Sequence, residues 1–373
     1  MVLFNKRNAA EAADRLCRLY SGQMHDEISA RLWVPATDPP PPLADARPDD
    51  EVLRDRDPAC WTELPALVAD RRQSVRYNYE NPDDSLPVGI PAFHFEGGIE
   101  TAMLGGKVRW VGTRLHTYGE PVRPLLRDYA EFDWRLPDED NVWFQRYLEA
   151  HRYMARHAGD DFALAFQGGM VGMNLAVQLR GAEAAYLDLH ADPENLRRLL
   201  DYILDLNVYL FERVEEIVGV HNSRLCGDPR LSRCRVDYQP RTSVDAYSLC
   251  RSGTLPAWGA EHLARFNALV GGSLLHLHEN SRHVIEDVVE IPGWSLVSFT
   301  DGVGWPRSFD LRWELRGRMK EIPMQLTCEK EELLAALAAQ DLPGNTQYCL
   351  EVESFAEAHR VMQLVKAYRA PAA

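Results

Sequence analysis

The sequence contains no long uninterrupted run of apolar residues. No stretch approaches the roughly 18 to 20 consecutive apolar residues that span a bilayer. The first residues, MVLFNKRNAAEAADRL, also lack the apolar centre of a signal peptide. These two absences predict a cytoplasmic protein with no membrane partner.

Clusters of positive charge are missing as well. The 373 residues include 41 Lys and Arg against 56 Asp and Glu, which gives a formal net charge of -15. Binding to nucleic acid needs clustered Lys and Arg to neutralise phosphates, and no such run occurs. The charge balance argues against a nucleic-acid partner and fits an acidic enzyme.

Neither closely paired cysteines nor the common nucleotide-binding motifs occur. The 7 cysteines are scattered, which predicts reduced thiols, core residues or metal ligands rather than a disulfide framework. No GxGxxG follows a strand, and neither a P-loop nor a GxSxG elbow is present. Chemistry on dinucleotides or nucleoside triphosphates is therefore disfavoured.

What is present is the pattern of an α/β protein. With 46% hydrophobic residues the chain can bury a large core. From about residue 85, β-favouring runs alternate with helical patterns, which is typical of a parallel sheet. The runs are VGIPAFHF (88–95), DFALAFQG (161–168), a segment between Ser223 and Leu249, SLLHLH (273–278), WSLVSFT (294–300), IPMQLTC (322–328) and TQYCLEV (346–352).

An eighth run, ARLWVPA (30–36), would complete a (β/α)8 TIM barrel, although a doubly wound sheet has a similar pattern. We predict the barrel over residues 76–373 and a helical, loop-rich lead over residues 1–75 packed on it. Helices are predicted near Ala9 to Tyr20, after Asp192 and after Ser354, since both of the last two residues can cap a first turn.

Polar residues that end apolar strands are the site candidates, because the active site of a parallel barrel lies at the carboxyl ends of its strands. His276 and His278 are two residues apart on one strand face, so both imidazoles can reach one ion. This is a candidate half of a zinc site. The alternative is a histidine pair that only forms hydrogen bonds in a polar barrel mouth.

Two thiols compete for a third ligand position. Cys349 lies on the last strand, whose end faces the same central opening as His276 and His278. Cys328 ends the preceding strand. The alternative for either thiol is a small buried core residue.

Other strand ends carry candidates for catalysis and substrate binding. His94 and Glu96 share one strand face just before two glycines, and either could bind substrate or metal. Asp245 and Glu96 are the candidate catalytic carboxylates. The predicted substrate-binding residues are His94, Gln167, Asn280 and Asp301, each of which could instead be a loop cap or a salt-bridge partner.

Two segments resemble the superfamily of uroporphyrinogen decarboxylase and the corrinoid-dependent methyltransferases. LAVQLRGAEAAYLDLHADPENLRRLLDYILDLN (175–207) is similar to the stretch after the third strand of these enzymes. GGSLLHLHENSRHVIEDVVEIPGWSLVSFTD (271–301) is similar to their fifth and sixth strands with the helix between them. The likeness covers roughly residues 85–370 and implies a metal-dependent methyltransferase with a barrel fold.

In the methyltransferase branch, which includes the methylcobamide:coenzyme M enzymes, the fifth strand ends His-x-Cys and a later Cys completes a zinc site. Those positions fall on His276, His278 and Cys349, with His in place of the middle Cys. The resemblance implies that Zn²⁺ binds an acceptor thiol, which attacks a methyl group carried by a corrinoid protein. In the reverse sense, a methylated small-molecule substrate would supply the methyl group.

Two other functions stay open. The first is a metal-free decarboxylase or related lyase acting on a small carboxylate, with Asp245 or Glu96 moving a proton. The arginine pair that holds porphyrinogen carboxylates in that branch is missing from ARLWVPATDPPPP, which disfavours a porphyrinogen substrate. The second is a catalytically silent barrel that binds a ligand. The sequence does not decide whether the chain forms a homodimer.

Overall fold

The chain is an α/β protein built around parallel strands. The computed structural model describes residues 5–35, 64–89, 93–94, 98–112, 117–166, 170–226 and 241–371. Its strands are β1 (Ile28–Trp33), β2 (Val88–Gly89), β3 (Phe93–His94), β4 (Val108–Gly112), β5 (Thr117–Pro121), β6 (Ala163–Leu164), β7 (Arg241–Ser243), β8 (Ser273–Leu277), β9 (Trp294–Phe299), β10 (Met324–Thr327) and β11 (Thr346–Glu351).

Helices connect most of these strands. They are α1 (Ala9–Tyr20), α2 (Leu64–Tyr77), α3 (Gly98–Met103), α4 (Val142–His157), α5 (Met173–Arg180), α6 (Ala182–Ala191), α7 (Pro193–Cys226), α8 (Thr254–Trp258), α9 (Ala260–Val270), α10 (Ile285–Val288), α11 (Arg312–Met319), α12 (Lys330–Ala338) and α13 (Phe355–Ala367). Short 3-10 helices cover Asn78–Glu80, Asp245–Leu249 and Glu279–Val284.

The main sheet has six parallel strands in the order β1, β11, β10, β9, β8, β7. A second parallel sheet pairs β2 with β6. The predicted α/β class with a parallel sheet is confirmed. Among the described residues, no strand pairing joins β1 to β2 or β6 to β7, so the closed (β/α)8 barrel and the domain boundary near residue 75 stay predictions.

A small third sheet was not anticipated from the sequence. It contains β3, which is parallel to β5, and β4, which is antiparallel to β5. Gly98 opens α3 against this sheet, and a Cβ atom there would lie 2.4 Å from the Gly119 carbonyl oxygen. The close approach of α3 to β5 therefore requires glycine at position 98.

Predicted helix ends are found where the capping residues indicated. The Asp192 side chain accepts a hydrogen bond from the Asn195 amide at 3.5 Å, and Pro193 occupies the first position of α7. Ser354 caps α13 by accepting from the Glu357 amide at 3.2 Å. Helix α7 runs through to Cys226, and an apolar stripe along it is buried, formed by Leu196, Leu199, Leu200, Ile203 and Leu210.

Two aspartates bind the free edge of β1. Asp84 accepts from the Ala30 amide at 3.2 Å through Oδ2, and Asp83 accepts from the Leu32 amide at 3.0 Å through Oδ2. The Asp84 amide donates to the Ala30 carbonyl at 2.9 Å. These contacts pair backbone groups that would otherwise be buried without a partner.

A buried cation lies against each of these carboxylates. Lys6 Nζ is 2.5 Å from Asp83 Oδ1, and Arg15 Nε is 2.8 Å from Asp84 Oδ1. Arg15 also donates to the Ile28 carbonyl at 2.6 Å. Burial raises the pKa of Asp84, and Arg15 opposes that rise. Helix α1, through Arg15, and the segment before it, through Lys6, are thus each joined to the edge of β1 by a buried ion pair.

A buried carboxyl group without such a partner lies in α3. Glu100 is fully buried, and neither of its carboxyl oxygens has a hydrogen-bond partner among the described residues. Burial raises the pKa of Glu100 to about 7. The folded protein therefore favours protonated Glu100 at mildly acidic pH.

Replacing Arg15 should destabilise the protein strongly. Arg15→Ala leaves the buried Asp84 carboxylate without its cation, which costs about 3–5 kcal/mol in comparable buried pairs. The matched control is Arg7→Ala, because Arg7 pairs with Glu80 at an exposed site and should matter by less than about 1 kcal/mol. Urea unfolding of both variants measures the difference, and equal losses would contradict a structural role for the buried pair.

Glu100 should make the free energy of unfolding depend on pH. Its folded pKa of about 7 lies above the ordinary value of 4.5, so its contribution is full below pH 4.5 and is lost as the pH rises through 7. Relative to Glu100→Gln, the wild type should lose roughly 3 kcal/mol across this window. Denaturation at several pH values tests this, with exposed Glu131→Gln as the control. Parallel curves for wild type and Glu100→Gln would refute the buried acid.

Candidate functional site

The register of the main sheet aligns one row of polar side chains. In each pair of neighbouring strands, one residue of this row lies directly beside the next residue of the row. The row consists of Ser29, Gln347, Gln325, Ser298, His276 and Ser243. Because alternate residues of a strand face the same side, this face of an otherwise apolar sheet is polar.

Hydrogen bonds run along the row toward His276. Ser298 Oγ donates to Gln325 Oε1 at 2.7 Å, and Gln325 Nε2 donates to Gln347 Oε1 at 2.6 Å. Gln347 Nε2 then donates to Ser29 Oγ at 3.2 Å. The side chains of Ser29 and Gln347 are fully buried. The site therefore rests on a fixed polar floor.

Sequence reasoning missed this floor, although a signal was present. Gln347, Gln325 and Ser298 each lie two residues before a polar or thiol residue at a strand end, namely Cys349, Thr327 and Thr300. The predicted site residues were chosen only from the ends of the strands. Polar residues one alternation deeper in each strand would have identified the floor.

His276 and His278 lie in direct contact. Their Nε2 atoms are 3.1 Å apart, and the rings meet edge to face at 82° with centroids 4.6 Å apart. For a hydrogen bond at this distance, one nitrogen carries the proton and the other supplies a lone pair. The side chain of His278 is 40% exposed, so the pair is open to solvent and substrate.

Three further side chains surround the pair. Thr300 Oγ1 is 3.2 Å from His276 Nε2, and Asp245 Oδ2 is 3.8 Å from His278 Nε2. Glu279 Oε2 is 3.8 Å from His278 Nδ1. The structure thus brings the predicted catalytic Asp245 to the histidines and adds Thr300 and Glu279, which the sequence analysis did not select.

Asp245 and Glu279 both approach the pair with unused hydrogen-bonding capacity. Asp245 Oδ1 and Glu279 Oε2 are buried atoms without a hydrogen-bond partner in the structure. The Asp245 amide donates to Ser243 Oγ at 3.2 Å, which starts the 3-10 helix that carries this carboxylate. Glu279 lies over Gly302, where a Cβ atom would be 1.9 Å from Glu279 Oε1. Glycine at 302 makes room for the carboxylate.

The two candidate thiols occupy different faces of the sheet. Cys349 is paired in register with Thr327 and Arg31, one step above Gln347 on the polar face. Cys328 follows Thr327 and faces the opposite side by alternation. Burial raises the pKa of the Cys328 thiol far above its usual range. Of the two thiols, Cys349 is the one on the face of the histidines.

The metal-ligand geometry is only partly present. Within the described segments, no three His, Cys, Asp or Glu side chains are grouped as a metal site would require. The histidine pair alone has suitable spacing, since two nitrogens about 2.0–2.1 Å from a tetrahedral zinc would be about 3.4 Å apart. Zinc bound by His276, His278 and Cys349 therefore stays a prediction.

Asp301 has a defined structural role. Its Oδ1 accepts from Arg282 Nη2 at 3.0 Å, from the Ser308 amide at 2.7 Å and from Ser308 Oγ at 2.6 Å. Arg282 also donates to the Pro306 carbonyl at 2.6 Å. Asp301 thereby anchors the loop after β9, and its predicted contact with substrate stays a prediction.

The remaining predicted residues have the following positions. Asn280 is exposed in the 3-10 helix after β8. His94 belongs to β3, but its side chain lies outside what the structure describes. Glu96 and Gln167 lie outside the described residues. The predicted roles of these four residues stay predictions.

Comparisons with known proteins show a shared fold. No known protein family has a sequence profile that matches this chain, and no curated protein is similar to it in sequence. Among solved structures, a methyltransferase from Methanosarcina mazei is similar to it with a TM-score of 0.52. The match covers 86% of this chain and 94% of that chain at 11% sequence identity. The two proteins share a fold.

The helices of this fold do not include a membrane span. No helix in the described part of the chain is both long and apolar enough to cross a bilayer. Helix α7 is 34 residues long, but charged residues such as Asp201, Asp205 and Arg213 lie among its apolar residues in the sequence. Its length serves packing against α4, α6 and α9.

Proposed function

We propose that this chain is a methyltransferase whose active site surrounds His276 and His278. The observation that carries the proposal is the 3.1 Å contact between the two imidazoles at the carboxyl end of β8. Ligands of parallel α/β sheets bind at the carboxyl ends of the strands. The fold shared with a methyltransferase from Methanosarcina mazei supports this reaction class.

The histidine pair would activate the methyl acceptor by removing its proton. The acceptor gives its proton to an imidazole nitrogen and forms a bond to the methyl carbon. The bond between that carbon and the donor breaks, and its electron pair leaves with the donor. Asp245, 3.8 Å from His278, would stabilise the imidazolium that forms. Thr300 would orient His276.

Zinc binding is an alternative role for the histidine pair within the proposed methyl transfer, and a corrinoid protein is the proposed methyl donor in either case. Zinc would lower the pKa of an acceptor thiol. The histidines supply two suitably spaced nitrogens, whereas a third ligand is not grouped with them in the described residues. The same nitrogen lone pairs cannot bind zinc and accept a proton together. A methylated corrinoid protein is the proposed donor and a small thiol the proposed acceptor.

A metal-free lyase acting on a small carboxylate is the second candidate. Asp245 favours it, because its carboxylate approaches His278 and one of its oxygens is buried without a partner in the structure. A carboxylate next to an imidazole can move a proton to or from substrate carbon without a metal. The polar floor, which lies in the same row as His276 and one alternation below His278, would then orient the substrate.

The first experiment is an activity comparison. Wild type supplied with methylcobalamin and a small thiol should form the methyl thioether, measured by mass spectrometry. His276→Ala and His278→Ala should each lower the rate by about 100-fold or more, since positioned general bases contribute that much. Exposed His359→Ala is the matched control and should retain the wild-type rate.

Two results would count against this proposal. Methyl transfer at the wild-type rate in both histidine variants would remove the pair from the mechanism. Release of carbon dioxide from small carboxylates, without methyl transfer and dependent on His278 and Asp245, would establish the lyase instead.

Metal analysis separates the two chemical roles of the histidines. If the pair acts through zinc, protein supplied with zinc should contain about one zinc per chain, the stoichiometry of a single tetrahedral site. His276→Ala, His278→Ala and Cys349→Ala should lose it, whereas Cys328→Ala should keep it because that thiol faces away. Absence of zinc from the wild type would overturn the metal site and leave the proton-transfer arrangement to be judged by the activity comparison.

A further inference from the structure

A groove between α4 and α7 lies at the end of the fold opposite the histidine pair. His221, in α7, contacts the Phe162 carbonyl immediately before β6 begins, through Nε2 at 2.9 Å. Beyond the carboxyl end of β6, Asn174 instead contacts Ser243 and Ala246, next to Asp245. The groove and the histidine pair are thus at opposite ends of the parallel strands.

The groove has the size of a ligand site. Its volume is about 520 Å³, within the range of about 300–1,000 Å³ that small-molecule sites occupy. One face of α4 and one face of α7 line it, because its residues recur at helical spacing on each helix. Its lining includes Arg152, Arg156, Arg224, Ile217, Val220 and His221.

Three arginines give the groove positive charge. Arg224 pairs with Asp160 and donates to the Gly159 carbonyl at 2.6 Å. Arg152 and Arg156 have no hydrogen bond or ion pair in the part of the chain that the structure describes. They stand four residues apart on one face of α4, where like charges repel.

Helix ends explain only part of this charge. Arg156 and Arg224 lie in the last turns of α4 and α7, where cations interact favourably with the helix dipole. The negative end of each helix dipole offsets roughly half of one positive charge, and the Asp160 carboxylate offsets one whole positive charge. About one positive charge remains, on a chain whose net charge is -15. Arg152 lies before the last turn, so the dipole does not account for it.

We propose that this groove binds a small organic oxyanion, a phosphate or carboxylate that carries an apolar group. The guanidinium groups of Arg152 and Arg156 would bind the oxyanion, since their planar donors match carboxylate and phosphate oxygens. Ile217 and Val220 supply the apolar wall, and Val220 is 79% exposed. Burial lowers the pKa of His221. The neutral imidazole therefore contributes to the shape of the groove and not to its positive charge.

Binding is measured by isothermal titration with phenyl phosphate, benzoate and inorganic phosphate at low ionic strength. Phenyl phosphate or benzoate should bind wild type saturably and more tightly than inorganic phosphate. The double variant Arg152→Gln, Arg156→Gln should bind about tenfold more weakly or worse, since lost charge-assisted hydrogen bonds cost that factor. Arg360→Gln, at an exposed position on α13, is the matched control.

The thermal melting temperature without anion distinguishes a binding role from a structural one. Removing two like charges should leave the melting temperature of the double variant unchanged or higher. If that variant does not fold, Val220→Asp places a carboxylate in the groove and should abolish binding. Leu187→Asp, at a position 61% exposed on α6, is its control.

Several outcomes would overturn the proposal. These are failure of all three anions to saturate the wild type, equal binding by the double variant, or binding of inorganic phosphate as tight as that of phenyl phosphate. His276→Ala should bind the anions as the wild type does, because its site is at the other end of the strands. The result is therefore independent of the proposed methyl transfer.

Discussion

The parallel register of the six-stranded sheet is the constraint on which the candidate site depends. Strands that run in the same direction place residues of matching height in rows, and alternate residues face one side. One such row consists of Ser29, Gln347, Gln325, Ser298 and His276. A slip of one residue in any strand would turn its polar side chain toward the helices. The hydrogen bonds from Ser29 to Ser298 therefore support the register that places His276 in the same row.

Side chains complete the hydrogen bonding where strand pairing stops. Asp83 and Asp84 bind the free edge of β1, and Asn222 binds both backbone groups of Leu164 in β6, at 2.9 and 3.0 Å. Buried amides without partners would be costly, so these three residues bind strand edges that pair with no other strand among the described residues. The buried ion pairs of Lys6, which precedes the amino-terminal helix, and of Arg15, which belongs to it, join this part of the chain to the edge of β1.

The two ends of the strands are built for different chemistry. At the carboxyl end, imidazoles, carboxylates and a hydroxyl group surround a half-exposed histidine, an arrangement suited to moving protons or binding a metal. At the amino end, arginines on two helices face a groove with an apolar wall. Because different loops and helices form the two sites, a ligand at one end need not interfere with chemistry at the other.

Local pattern determined much of this protein. The caps at Asp192 and Ser354, the amphipathic helix α1 and the strands that hold the site follow from periodicity and end signals, which act over a few neighbouring residues. The placement of His276 and His278 on one face also followed from alternation alone. Tertiary structure decided which distant residues meet them: Asp245 and Thr300 reach the pair through the packing of neighbouring strands, and the hydrogen-bonded floor arises from cross-strand register. Arg152 and Arg224 reach one groove because α4 packs against α7, and contacts between residues so far apart in sequence leave no local signal.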